Sequence, residues 1–259
     1  IHLHGGESSQ GSIDDSMRHA ITKLSKGHIC FSPRAQKNLV RLGESEESIL
    51  LARSFMAARV ETVSDELASR TLQSLGLHPR EPFALVTVHP VTTDQKNTSE
   101  TVRSVVDGLK RSEIRQFLLT GPNTDEGRGL IVSEFQKFRE ECSRSGQKKV
   151  AWQVDLGNSY LSVLSRAKFC IGNSSSGIWE ARFLGVPAID VGRRQTGRYL
   201  EDTFVTHVRA NSDEVYLAIR DAIQIDGFSP SDSSSGASLQ DVVTWILGET
   251  FGLEKSPLG

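Results

Sequence analysis

The sequence has no excess of either charge: 30 Lys and Arg stand against 32 Asp and Glu, a formal net charge of -2. A nucleic-acid surface draws on a basic surplus, so no nucleic-acid partner is expected. No apolar run approaches the roughly 20 residues of a membrane span, so no membrane partner is expected either. Cysteine is scarce, and Cys30, Cys142 and Cys170 have no metal-like spacing. Cys30 and Cys170 fall in apolar, strand-like runs and read as buried free thiols, which points to a reducing, cytoplasmic compartment. No metal site and no cofactor are signalled. Position 1 lacks methionine, no signal-peptide pattern is visible, and Ile1 opens inside a strand-like run, "IHLHGG". The expectation is a fragment, or a chain that starts late.

Short apolar runs and helical periods alternate. Strands are expected at 1–4, 28–32, 48–52, 83–89, 114–120, 149–154, 168–172 and 187–191. Helical periodicity marks 17–24, 64–75, 101–109, 130–142 and 215–223. This alternation predicts an α/β fold with doubly wound parallel sheets, covered by helices on both faces. A boundary near residue 53 divides residues 1–53, the end of one domain, from residues 54–230, a complete second one. Residues 231–259 would then be a linker and a C-terminal helix that could return to the first domain; "SPSDSSSGAS" reads as a low-complexity connection.

The stretch "CIGNSSSGIWE" carries the strongest chemical signal. A strand that ends in glycine and serine and passes into a helix offers unpaired N–H groups and a positive dipole end to an anion. Ser174, Ser175 and Ser176 add hydroxyl donors, and the flanking glycines admit a ligand close to the backbone. The plainer reading is a serine N-cap. The loop is not a Walker loop, because no lysine follows in the GK[ST] pattern. Glu180 reads either as a carboxylate for sugar hydroxyls or as compensation for the helix dipole in the first turn. "VGRRQTGR" puts Arg194 and two other arginines after the next strand, suited to bidentate phosphate contact or simply a solvated basic loop. "TVHPVTTD" puts His89 at a strand end, where structural and functional readings stand level.

Residues 2–25 are dense in ionisable groups. By period-two geometry, His2 and His4 share one strand face. Ser12 and Asp15 form a capping box, S-x-x-D, which accounts for Asp15 but leaves His4, Glu7 and Asp14 as acid/base candidates. Zinc is disfavoured, since H-E-x-x-H order is missing.

Six stretches, "HLHGGE", "GSIDDSMRHAITKLS", "HPVTTD", "GPNTDEG", "GNSSSGIWE" and "GRRQTGR", run in order from residue 2 to residue 198. They resemble the UDP-N-acetylglucosamine 2-epimerase family, above all its hydrolysing branch, which supplies sugars for sialic-acid-type synthesis. The resemblance implies two Rossmann-like domains facing across a cleft, as in B-type glycosyltransferases. It also implies that most of the first domain, roughly a hundred residues, is missing. Ser174, Ser175 and Arg194 resemble diphosphate-binding positions, and Glu180 the ribose-binding acid. Asn123 and His89 resemble nucleotide-sugar contacts, and His89 is also a candidate for the chemistry. Asp14 matches an active-site acid. His4 falls where many relatives carry a second acid. "LLARSFMAARVE" departs from a Gly-x-Pro-type turn common there.

The implied reaction is conversion of a UDP-sugar to a free N-acetylmannosamine-type sugar and UDP, by elimination and hydration, without a cofactor. Asp14, His4 and His89 would be its catalytic groups. A non-hydrolysing 2-epimerase, a glycosyltransferase of the same architecture and a nucleotide-sugar-binding module are the alternatives. A homo-oligomer is compatible with all of them. The 259-residue chain itself is expected to bind UDP weakly and to make no detectable N-acetylmannosamine.

Overall fold

A computed structural model describes residues 1–7, 13–54, 59, 62–91, 95–195, 205–225 and 236–251. In chain order its elements are β1 (His2–Leu3), α1 (Ile13–Leu24), β2 (His28–Cys30), α2 (Pro33–Arg41) and β3 (Ile49–Leu51). There follow α3 (Asp65–Ser74), β4 (Phe83–Thr87), α4 (Gln95–Arg111), β5 (Gln116–Thr120), α5 (Arg128–Ser145), β6 (Lys149–Gln153) and α6 (Tyr160–Leu164). The rest are β7 (Phe169–Gly172), α7 (Ser176–Phe183), β8 (Ala188–Val191), β9 (Val205–Val208), α8 (Ser212–Gln224) and α9 (Leu239–Phe251). Described residues up to Arg59 and from 236 onward pack as one unit, and those of 62–195 and 205–225 as a second.

The second unit is a six-stranded parallel sheet in the order β6-β5-β4-β7-β8-β9. Sequence order runs outward from β4 in one direction and then from β7 in the other. The topological switch point therefore lies between β4 and β7, where ligands bind at strand carboxyl ends. The strands are apolar on both sides because both faces are covered. Ala84, Val86, Phe117, Leu119, Phe169 and Ile171 join Val105, Phe135, Phe138 and Ile219 in one buried layer. Their neighbours Phe83, Leu85, Leu118 and Cys170 join Leu72, Val163, Leu164 and Ala181 in the other. Doubly wound parallel α/β architecture is thus realised. β9 lies outside the expected strands: its two central residues, Thr206 and His207, are exposed on the sheet edge and weaken the apolar signal.

The first unit carries a three-stranded parallel sheet, β1-β2-β3. Cys30 packs with Ala35 and Leu39 of α2, and Ile29 with Val242 and Trp245 of α9. Ala52, just past β3, forms a parallel bridge with Ala237. The shared face expected for His2 and His4 is not observed. β1 ends at Leu3, and His4 takes a left-handed φ of 65° at the start of the Gly5-Gly6 turn. His2 is buried against the Thr22 hydroxyl at 3.0 Å, while His4 is exposed. The capping box assigned to Ser12 and Asp15 lies outside the described residues and side chains. All three cysteines are buried and unpaired. Among the described residues, no helix is long and apolar enough to cross a membrane.

Candidate functional site

The carboxyl ends of β4, β5, β7 and β8 gather His89, Asn123, the 172–177 turn and Arg194 within the second unit. β7 and β4 must part at the switch point, and a side-chain clamp bridges them there. The Asn173 amide accepts from the His89 N–H at 2.7 Å and donates to the His89 carbonyl at 2.9 Å. An asparagine side chain can do both at once, as a peptide does. Asn173 is fully buried. Its own carbonyl accepts from the Arg194 guanidinium at 3.0 Å and the Gln195 amide at 2.8 Å. The start of the β7 turn is therefore fixed from both neighbouring strands. Gly172 makes this closeness feasible: at φ 142°, a Cβ there would lie 1.8 Å from the Thr87 carbonyl oxygen.

The serine loop stands on this base. Ser175 occupies the N-cap position of α7 but makes no side-chain cap hydrogen bond, which argues against the plain N-cap reading for it. The Ser174 hydroxyl accepts from the Ser176 N–H at 3.3 Å. The Ser176 hydroxyl pairs with the phenol of Tyr160. The peptide N–H groups of Ser174 and Ser175 have no acceptor among the described residues. Such groups, at a helix start with its positive dipole end, favour an anion. Glu180 lies in α7 beyond its first turn, not within it as expected. Dipole compensation fades over one turn, so that explanation for Glu180 loses weight.

His89 is half-buried, and its Nδ1 accepts from the Asn123 N–H at 3.1 Å. Desolvation, then the charge of Arg194, pushes its pKa down to about 4, with Asp125 opposing. The ring is therefore neutral near pH 7. With Nδ1 an acceptor, the proton sits on Nε2, leaving a neutral donor at the switch point. The Asn123 amide donates to the Asp125 carboxylate. Of the three arginines in "VGRRQTGR", Arg193 is exposed, Arg194 holds the turn and Arg198 lies outside the described residues.

The remaining candidates belong to the first unit. The His4 ring packs 4.4 Å from Phe31 between centroids, and desolvation followed by Arg18 and His2 lowers its pKa. Glu7 accepts from the Ser32 hydroxyl at 3.4 Å. Asp14 lies in the first turn of α1, with its side chain outside what the structure describes. Asn173, Gln195 and Tyr160 join the site only in the folded structure. Only Asn173 carried a signal, as an amide wedged between a glycine and serines at a strand end. Two larger hollows, of about 450 and 430 Å³, lie toward the amino ends of the strands of the second unit. They hold none of the candidate residues.

A profile of the UDP-N-acetylglucosamine 2-epimerase family matches residues 1–240. The chain is 33% identical over 242 residues to the UDP-N-acetylglucosamine 2-epimerase of Neisseria meningitidis serogroup B, covering 91% of this chain and 60% of that protein. It is 32% identical over 198 residues to the hydrolysing GDP/UDP-N,N'-diacetylbacillosamine 2-epimerase of Campylobacter jejuni, covering 76% and 51% respectively. The chain thus spans about half to three-fifths of the length of these curated relatives. Among solved structures, the UDP-GlcNAc 2-epimerase of Methanocaldococcus jannaschii in complex with UDP-GlcNAc and UDP shares the fold, with a TM-score of 0.71 at 15% identity, covering 96% of this chain and 68% of that one. The strand-end serine loop and the matches over nearly the whole chain agree: it belongs to the UDP-N-acetylglucosamine 2-epimerase family.

Proposed function

We propose that this chain carries the nucleotide-binding part of a hydrolysing UDP-sugar 2-epimerase. One observation supports the reading: a serine loop at a helix start and at the switch point, braced by Asn173 and Arg194 beside His89, whose pKa is lowered to about 4. In this reading the loop 174–176 and Arg194 hold the diphosphate, Glu180 takes the ribose hydroxyls, and Asn123 and His89 contact the nucleotide-sugar. Residues 1–53 are the end of a first Rossmann-like domain, and its Asp14 and His4 carry the proton transfers. The C2 proton leaves as UDP is expelled. Water then adds at C1 while C2 is reprotonated on the other face, releasing the free epimerised sugar. Charge stabilisation at the departing diphosphate is the largest contribution asked of the second unit. Positioned acid/base groups add about 10²–10⁴-fold each. The hydrolysing branch is favoured by the name of the Campylobacter relative and by the motif resemblance.

The chain's own test is calorimetric binding of UDP. The reaction is tested in a protein of the relatives' full length that carries these motifs. Incubation with UDP-N-acetylglucosamine or its diacetylated bacillosamine analogue in deuterated water is followed by proton NMR. Free 2-epimer with deuterium at C2 is expected. A UDP-linked 2-epimer would mark the non-hydrolysing reaction, and turnover that needs an acceptor a glycosyltransferase. Asp14→Asn should abolish sugar release and leave UDP binding nearly intact. Normal C2 exchange in that variant would reduce Asp14 to a helix-terminal charge.

A further inference from the structure

The serine loop has a support that the functional reading does not use. Tyr160, the first residue of α6, places its phenol on the hydroxyl of Ser176, the first residue of α7. The pair lines a cavity of about 20 Å³ beneath the loop, together with Thr87, Ser174 and Asp190. Burial raises the phenol's pKa above the ordinary tyrosine range, so the group stays protonated at any working pH. The Ser176 N–H is already directed to the Ser174 hydroxyl. Both polar groups of Ser176 are thus engaged inside the protein, and the loop's outward donors are those of Ser174 and Ser175. A hydroxyl held from below fixes the first turn of α7, and with it the direction of the peptide N–H groups just before that turn.

We propose that Tyr160 is a positioning residue for the anion loop: by holding the Ser176 hydroxyl, it sets the Ser174 and Ser175 peptides to receive a diphosphate. This rests on reading the loop as a diphosphate site. It assigns Ser176 to holding the loop, so that the side chain acts through its neighbours.

The test is calorimetry on the 259-residue chain with three probes: UDP, inorganic pyrophosphate and uridine. Tyr160→Phe, which keeps the ring, should weaken UDP and pyrophosphate roughly five- to tenfold, the range of one well-made hydrogen bond. Uridine affinity should change less than about twofold. Ser176→Ala should do the same, and the double variant should be no worse than either single, because the pair acts as one unit. A merely structural role would lower all three affinities in parallel. That result, or unchanged pyrophosphate binding in both single variants, overturns the proposal. Should Tyr160→Phe fail to fold, Ser176→Ala carries the same comparison alone. If the wild-type chain binds pyrophosphate but not UDP, the nucleotide reading fails, and the pyrophosphate ratios still decide the role of Tyr160. If it binds neither, both readings fall.

Discussion

The turns after β1 and after β7 begin alike, with a short parallel strand running into glycine and polar residues, yet they are held very differently. After β7, the left-handed position falls on Gly172, pressed against the Thr87 carbonyl, and Asn173 is buried and bonded on both sides. After β1, left-handed positions fall on His4, exposed and outside any regular strand, and on the buried Gly6. The β7 turn sits at the centre of six strands with helices on both faces. The β1 turn sits at the edge of three strands with two small buried clusters. Both turns find partners for their backbone: after β1 the Gly5 N–H donates to the Ile29 carbonyl at 3.2 Å and the Asn38 amide to the Gly6 carbonyl at 2.9 Å, whereas after β7 a buried side chain of the turn itself bonds both peptide groups of His89, just past the neighbouring strand. After β1 the His4 ring packs on Phe31 and Glu7 accepts from the Ser32 hydroxyl.

A methyl group at each turn should have the largest effect. Gly172→Ala forces a Cβ to within 1.8 Å of a backbone oxygen. Overpacking and backbone strain together should cost roughly 3–5 kcal/mol, read by urea unfolding of the second unit. Gly6→Ala meets a similar clash, 2.1 Å from the Ala35 carbonyl oxygen. Its effect should be confined to amide exchange in β1, β2 and α2. Loss of protection throughout the second unit in the Gly6 variant would erase the distinction between the two regions.

Asn173→Ala removes the clamp and strands the His89 peptide groups, at a cost of about 2–3 kcal/mol. A loss under about 0.5 kcal/mol by denaturant titration would show that β4 and β7 do not need it. Next in size is ligand binding. The double variant Ser175→Ala, Arg194→Ala should weaken UDP by about 1.5–3 kcal/mol, while Asp14→Asn in the first unit leaves UDP affinity unchanged. Equal effects from the two units in calorimetry would sink the assignment of the nucleotide to the second.

Acid should act on the second unit through His89. His89 has a folded pKa of about 4, below its ordinary 6.5. As pH falls through 6.5 the unfolded chain takes up a proton that the folded chain refuses, so stability declines between about pH 6.5 and 4 and then levels. Stability from neutral His89 is thus fully present only above the unfolded value. The expected loss, discounted for partial exposure, is about 1–2 kcal/mol. His89→Gln should flatten that part of the pH–stability curve, and an unaltered slope would contradict the burial of this ring. The smallest effects are at two helix caps. Ser32 caps α2 through the Ala35 N–H at 3.1 Å, and Ser64 caps α3 through the Leu67 N–H at 3.2 Å. Alanine at either should cost about 1 kcal/mol, seen in the first unit for Ser32 and the second for Ser64. A matching loss in both units from either variant would mean that they unfold as one.

Much of the frame was legible because its signals are local. All eight expected strands form, each trimmed by one or more residues at its ends. β9 escaped notice because an edge strand with polar outward residues has no apolar run. The left-handed turn at His4 is not legible because positive φ is uncommon for any residue but glycine, so alternation runs one residue too far. The serine loop was legible as a strand-to-helix turn, but the different settings of its three serines were not. Ser174, Ser175 and Ser176 look equivalent in the sequence, whereas one of the three hydroxyls is tied to a tyrosine on another helix.

The α/β alternation, the strand-end position of the serine loop and the presence of a histidine and an arginine at strand ends are all written in the chain itself. These follow from periodicity and from residue types within one turn of each other. That β4 and β7 lie side by side, that Asn173 bridges them and that burial keeps His89 neutral come from the folded arrangement. His89 and Asn173 are 84 residues apart, and His89 and Asn123 are 34 apart. Their pairing depends on strand order, and the lowered pKa of His89 depends on burial that the pairing creates. Neither quantity is carried by any short stretch of chain.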